Sequence, residues 1–547
     1  MDAEFPRLTA REWLAALCVA VVAIGLLQIP YALGYTLARP GTEFTGVIMN
    51  PEDSQSYFAK MLEGYDGHWL YTIPFTTEKH SPAFLGGFYL LLGHLARWLG
   101  VTIEGIWHLA RVISDLILFL VTFGFIANFL REPHTRWTAY LLAVFGSGLG
   151  WVLFLLDQPY WLGWFPVDFK MPEAHLFFTA LTFPHVALGT ALILGSFWLT
   201  LRSFAPSGKL LYAVGAGIAN LVLVIVYPFL IYLIAATLGL YWIYLAVRTR
   251  RVLWREAWRV AMAAAIPAPL VLYYALTLAT NPVMSAWDAQ SITLSPPLPH
   301  FLVAYGVMLA FALLALWHTR EEYAFLWTWL LAVALLVYAP LNSQRRFVEG
   351  VQVPLAILAA VGLCQVTLPW LTQTRGFRML ASLPRYSVAG LERLLIAVFL
   401  LFASLSNIYI LASVSLTAAL QQPYPLFRSR DEIAAVDWLG ANTARSDVVM
   451  ASYETGNYIA AHAGNRVVIG HWAETVDWQR KFDEVDAFYS AVTSNAARQS
   501  LLKRYSVRYV WFGAVERELG GFDPETCPDL KLVFSNDAAQ IYRVVTP

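Results

Sequence analysis

Along most of this chain the apolar residues fall in long runs with few charged positions. Such runs lie near 13–35, 104–130, 137–156, 175–201, 210–227, 229–247, 257–279, 301–317, 323–341, 350–369 and 391–413. About 20 apolar residues of helix cross a bilayer, so the pattern predicts an α-helical polytopic membrane protein with about eleven spans. Segment 36–103 breaks the pattern. Within it, Asn50 to Gly64 places Tyr57, Phe58, Met61 and Leu62 at helical spacing, with Lys60 and Glu63 expected to point away. Pro82 to Trp98 is apolar but short, and carries Gly86, Gly87, His94 and Arg97. Both stretches read as helices lying at the membrane surface, in one large first external loop.

From about residue 416 the periodicity becomes that of a soluble α/β domain. Helices are expected at Asp431–Asn442 and 482–504, and a loop with a helix at Gly456–Ala463. Strands are expected at Val448–Ala451, Val467–Ile469 and Val507–Phe512, and a hairpin from Leu530–Phe534 and Gln540–Val545 turning near Asn536-Asp537. The organisation is therefore a membrane domain, 1–415, followed by an external α/β domain, 416–547.

Charge orients the spans. Arg131 and Arg136, Arg202 and Lys209, Arg248 to Arg251, and Arg375, Arg378 and Arg385 fall in alternate loops. Those loops are cytoplasmic by the positive-inside rule, as is the N-terminus. An odd number of spans then leaves the C-terminal domain outside, on a plasma (inner) membrane. Composition agrees with this picture: 58% of the 547 residues are hydrophobic and 14% charged, against about 25% charged in soluble domains. A formal net charge of zero gives no indication of nucleic acid, and three scattered cysteines give no disulfide framework or zinc cluster. Phosphate-cradling GxxxxGK[ST], GxSxG and HExxH motifs are missing, so nucleotide-driven transport and the common hydrolase signatures lack support.

Candidate chemistry gathers at the outer ends of spans. Asn50 suits a helix N-cap and Pro51 the first position, which puts Glu52 and Asp53 in the first turn, where the helix dipole favours acids. A well-made helix start explains both residues; so would a catalytic carboxylate at the membrane rim. Further on come Asp66-Gly-His-Trp69, Pro74, Glu78-Lys79-His80-Ser-Pro82 and, opening the second span, Arg111.

This order of motifs resembles the first external loop of the GT-C glycosyltransferase superfamily, in the branch of the protein O-mannosyltransferases and lipid A aminoarabinose transferases. The resemblance covers roughly residues 13–300. It implies that Asp53, four residues before Tyr57, is the catalytic acid, and that Lys79 contacts the phosphate of a lipid carrier. His80-Ser81 is inserted before Pro82, so His80 would share or replace the role of Lys79. The resemblance also implies a second acid at the outer end of a following span, and Glu173 occupies that place.

Other readings come from the residues themselves. His175 follows Glu173 as a further substrate contact. Trp287 and Asp288, in the 280–300 loop, offer the aromatic and polar mix of a sugar or acceptor site. Arg345 and Arg346 face outside against the positive-inside trend and suit a clamp on a polyprenyl phosphate, or alternatively snorkel to lipid headgroups. The implied reaction is transfer of a sugar from a polyprenyl-phosphate donor to a hydroxyl of a lipid, glycan or protein acceptor. Asp53 would be the base and Glu173 an assisting acid, with Tyr57, Lys79, His80, Arg345 and Arg346 at the substrate. The two carboxylates would alternatively hold a divalent cation. A transporter or lipid-carrier flippase, and a non-catalytic membrane scaffold, are the competing classes.

Overall fold

A computed structural model describes residues 8–318 and 321–545. The chain forms two compact units. The first comprises Met1–Gln28, Ala110–Leu272 and Thr293–Ser413; the second comprises Ile29–Leu109, Tyr273–Ile292 and Val414–Pro547.

All eleven apolar runs contain helix. Among the described residues, five helices are long and apolar enough to cross a bilayer: Ala10–Thr36, Ile103–Ala127, Pro184–Phe204, Pro228–Thr249 and Gln344–Thr372. Two bent pairs, Trp254–Ala265 with Ala268–Thr280 and Val388–Ala403 with Leu405–Gln421, raise the number to seven if each pair is one span. Leu210–Val226, Leu298–Leu314 and Ala324–Leu336 are apolar but shorter.

Besides the two bent pairs, two further expected runs are interrupted, and the sequence supplies the reason. The run 175–201 is split into Leu176–Thr182 and Pro184–Phe204, with Phe183 extended (φ −119°, ψ 134°). Pro184 lacks an N–H and pushes the preceding residue out of the helical region. The run 137–156 becomes Pro133–Phe145 and Gly150–Leu155, parted at Gly146-Ser147-Gly148. At that break Gly148 meets the backbone of Ala304, where a Cβ would collide with the Ala304 carbonyl.

In the second unit, helix Pro51–Tyr65 packs against helix Gly87–Leu99. They cross at glycines: a Cβ on Gly64 would strike the Leu90 carbonyl, and one on Gly93 the Met61 carbonyl. Strand Thr42–Phe44 pairs antiparallel with Phe427–Ser429, Glu43 opposite Arg428. The C-terminal part is built on a five-stranded mixed sheet in the order Arg466–Val467, Val448–Met450, Val507–Phe512, Gln540–Val544, Leu530–Ser535. The first three strands are parallel and the last two antiparallel. Met450, Ile469, Phe488, Tyr489, Val510 and Tyr542 fill its core.

Most expected elements of this region are present. The exception is 482–504, which is two helices, Trp478–Tyr489 and Asn495–Arg504. The hydroxyl of Ser494 accepts a hydrogen bond from the Ala497 N–H, at 3.3 Å, and so starts the second helix. Ala491 N–H donates to the Gly520 carbonyl at 2.7 Å, drawing the break onto a neighbouring turn.

Candidate active site

In the second unit, Asp53 lies in the first turn of helix Pro51–Tyr65. Pro51 takes the first helical position as expected, but Asn50 is left-handed (φ 49°, ψ 58°) and its side chain makes no capping hydrogen bond. Its carbonyl instead accepts from the Ser54 hydroxyl at 3.0 Å. The Asp53 side chain is 37% exposed, with its Oδ1 3.1 Å from Nε2 of the buried His471. His471 Nδ1 is buried with no hydrogen-bond partner, so the Nε2–H tautomer, donating to Asp53, satisfies the ring best. Glu52 has a different position: its carboxylate accepts from the Tyr453 hydroxyl at 3.2 Å and its carbonyl from the Asn457 amide at 3.3 Å.

Two turns further on, Lys60 departs from the expected outward face. It is buried, because the helix turns this side toward Glu474 and Tyr71 rather than to water. Its Nζ meets Glu474 Oε1 at 2.7 Å and lies 4.4 Å from the centre of the Tyr71 ring. Glu474 also accepts from the hydroxyls of Tyr71, at 2.6 Å, and Ser56. Burial acts to raise the Glu474 pKa, but the Lys60 ammonium, His471 and these hydrogen bonds outweigh it and hold the carboxyl below its ordinary value. Thus the loop Gly470–Thr475 supplies two groups to one helix, His471 to Asp53 and Glu474 to Lys60.

Tyr57 is part of an aromatic stack, 4.4 Å from Tyr89 and 6.2 Å from Trp107 by ring centres. Lys79 is exposed on its loop. Both ring nitrogens of His80 meet the backbone: Nε2 accepts from Ile73 N–H at 3.0 Å and Nδ1 donates to the Glu78 carbonyl at 2.9 Å. Burial lowers its pKa, which favours the neutral ring that this pattern requires. Helix Pro282–Gln290 carries Trp287 and Asp288, both half-buried. From the same helix the Gln290 amide donates to the carbonyls of Thr475 (2.9 Å), Ala473 (3.2 Å) and Trp472 (3.4 Å), gripping the loop that presents His471 and Glu474. The structure therefore brings the 282–290 helix and the Asp53 helix to a common loop.

In the first unit, two expected residues meet directly. Arg346 Nη1 lies 2.6 Å from Glu173 Oε1 and 2.6 Å from the Tyr227 hydroxyl. The short Pro172–Ala174 turn that presents Glu173 is held by its neighbours: Tyr305 hydroxyl donates to the Ala174 carbonyl at 3.1 Å, and Thr179 to the Pro172 carbonyl at 2.6 Å. Gln352, fully buried, accepts from Leu176 N–H at 2.6 Å and donates to the Gly146 carbonyl at 2.7 Å. Glu173 is itself buried, and its Oε2 has no hydrogen-bond partner. Arg345 is half-buried, anchored by its N–H to the Thr293 carbonyl at 3.1 Å. His175 is fully buried, with neither ring nitrogen hydrogen-bonded. Glu349, fully buried, bonds the Thr190 hydroxyl. Among the described residues, no cluster of three or more His, Cys, Asp or Glu is placed to hold a metal ion.

Sequence reasoning pointed to Asp53, but not to its meeting with the loop Gly470–Thr475. His471, Glu474 and Lys60 escaped it. Their partners lie more than 400 residues away in the chain, and no local pattern registers such a contact. Chemically, the second unit offers a carboxylate that is half open to solvent, anchored at a helix N-terminus and oriented by a buried imidazole. The first offers a buried acid–arginine–tyrosine constellation.

The fold is similar to that of solved structures that share little of its sequence. Over 98% of this chain and 98% of its own, it matches the structure of ArnT from Cupriavidus metallidurans bound to undecaprenyl phosphate, with a TM-score of 0.53 at 13% identity. It also matches the apo oligosaccharyltransferase of Archaeoglobus fulgidus, over 98% of this chain and 75% of that one, with a TM-score of 0.54 at 14% identity. No protein-family model and no curated protein sequence matches the chain.

Proposed function

We propose that this protein is a multi-pass membrane glycosyltransferase that moves a sugar from a polyprenyl-phosphate donor to an acceptor hydroxyl at the outer face of the membrane. The observation that carries the proposal is the likeness in fold, along nearly the whole of both chains, to a structure holding undecaprenyl phosphate. The half-exposed Asp53, braced by His471, supplies the group that such a reaction needs.

In this reading Asp53 takes the acceptor hydroxyl proton as the acceptor oxygen bonds to the anomeric carbon. The bond from that carbon to the phosphate oxygen breaks, and polyprenyl phosphate leaves. A single displacement inverts the anomeric centre. His471 is a positioning residue for Asp53. Lys79, exposed on its loop, and Arg345 supply positive charge for the phosphate. Glu173 and Arg346 form an assisting pair, in which Glu173 fixes the guanidinium and Arg346 adds positive charge for the phosphate. His80 shapes the Lys79 loop, and Trp287, Asp288, Tyr57 and His175 belong to the walls around the substrates. Eleven spans, with a cytoplasmic N-terminus and an external C-terminal domain, complete the topology.

The test supplies purified protein with radiolabelled polyprenyl-phosphate sugars of several kinds. The proposal expects release of polyprenyl phosphate with at least one donor, accelerated by an acceptor. A protein that binds no such donor and instead carries an intact lipid-linked sugar across vesicle membranes would contradict it.

A further inference from the structure

Within the second unit, an open cavity of about 550 Å³ is lined in part by Glu63, His68, Trp69, Leu70, Arg445 and Arg466. It lies at the C-terminal end of helix Pro51–Tyr65, the opposite end from Asp53. Glu63 and Asp53 are separated by about 15 Å along the helix axis at 1.5 Å per residue.

The lining combines two kinds of surface. Trp69 stacks on His94 with ring centres 3.9 Å apart and planes at 26°, which fixes the indole while 48% of the residue stays exposed. The polar groups are organised in pairs: His68 Nδ1 lies 2.6 Å from Glu63 Oε2, and Arg445 pairs with Asp66. Arg466 is half-buried, and among the described residues no acid is within ion-pair distance of it. The cavity thus has one flat apolar wall, hydrogen-bonding groups of both polarities, and one uncompensated cation.

We infer that this cavity is a saccharide subsite for a pyranose ring bearing an acidic group, such as a uronate or a sugar phosphate. The C–H face of a pyranose matches a fixed indole face, which buries it without leaving polar groups unpaired. Ring hydroxyls find both acceptor and donor in the Glu63–His68 pair, and the planar fork of Arg466 suits a carboxylate or phosphate. A bare inorganic anion would have no use for the indole. A lipid surface would have no use for an acid and an imidazole already paired with each other. As a subsite for an extended acceptor glycan the cavity rests on the transferase reading; as a binding site it does not.

The test uses the full chain in detergent micelles, titrated with glucuronate, glucose 6-phosphate, glucose and inorganic phosphate by calorimetry. The acidic sugars should saturate at least 10-fold more tightly than glucose or phosphate. Arg466→Gln and Trp69→Ala should each weaken them at least 10-fold with an unchanged unfolding midpoint, while Trp69→Phe keeps most of the affinity. Equal binding of inorganic phosphate, unchanged affinity in both variants, or no saturable sugar binding would each overturn the inference. So would loss of binding to phosphatidylglycerol vesicles in Trp69→Ala with no sugar effect, since Trp69 would then be a membrane anchor. Asp53→Asn should bind acidic sugars as the wild type does. Retained transfer in that variant alongside normal sugar binding would count against the transferase roles and not against this site.

Discussion

Glu52 and Asp53 are neighbours on one helical turn with different surroundings. Both are favoured there by the helix dipole, so a well-made helix start explains both, and only the family resemblance singled out Asp53. The structure ties Glu52 to Tyr453 and Asn457 and leaves Asp53 more than a third exposed against His471. If His471 orients Asp53, His471→Gln should lower kcat by up to about 100-fold, the cost of a base misplaced by an ångström. It should also change the pH profile of kcat, whereas Glu52→Gln leaves both near wild type. A purely structural role for His471 would reduce the amount of folded enzyme and leave the profile unmoved. Glu474 is a stability residue by the same geometry. Its folded pKa lies below the ordinary 4.5, so its contribution is fully present above pH 4.5 and is lost as pH falls through the folded value. Thermal unfolding midpoints should accordingly fall on acidification below pH 4.5, less steeply in Glu474→Gln. Lys60→Met, which leaves that carboxylate buried and unpaired, should destabilise by about 3–5 kcal/mol. The burial of Lys60 was illegible in the sequence, since a lysine between Ala59 and Met61 on a short amphipathic helix reads as a solvated position.

At the scale of elements, legibility followed local chemistry. The strand Val507–Phe512 and the hairpin turning at Asn536 were readable because β-branched and aromatic runs and an Asn turn announce them. The 482–504 helix was not, because five residues of ordinary helix-compatible sequence hide a break whose cause, the contact of Ala491 with Gly520, is tertiary. Phe183-Pro184 carried its signal openly, and the expected continuous span gave way to proline. The crossing of helices Pro51–Tyr65 and Gly87–Leu99 rests on two glycines, and Gly64→Ala or Gly93→Ala should separate them. Each should cost about 1–3 kcal/mol, the usual price of overpacking, read as a lowered unfolding midpoint. Gly195→Ala, in a helix where a Cβ meets nothing within 4 Å, should be neutral or slightly stabilising.

For the whole molecule, the periodicity of the sequence delivered the class of fold, and charge asymmetry supplied an orientation. What it could not deliver is the grouping of Ile29–Leu109, Tyr273–Ile292 and Val414–Pro547 into one compact unit, since nothing local links segments so far apart. The proposed topology puts that unit outside. Val492 is 93% exposed, and a Val492→Cys protein should react with a membrane-impermeant maleimide in intact cells; labelling only after lysis would reverse the orientation. The central claim, sugar transfer with Asp53 as base, meets its most direct test in one comparison. Wild type and Asp53→Asn, matched for folding and donor binding, are given the same labelled polyprenyl-phosphate sugar and acceptor. Transfer in the variant should fall by about 10²–10⁴-fold, the contribution of a positioned general base. Transfer at the wild-type rate would contradict the account.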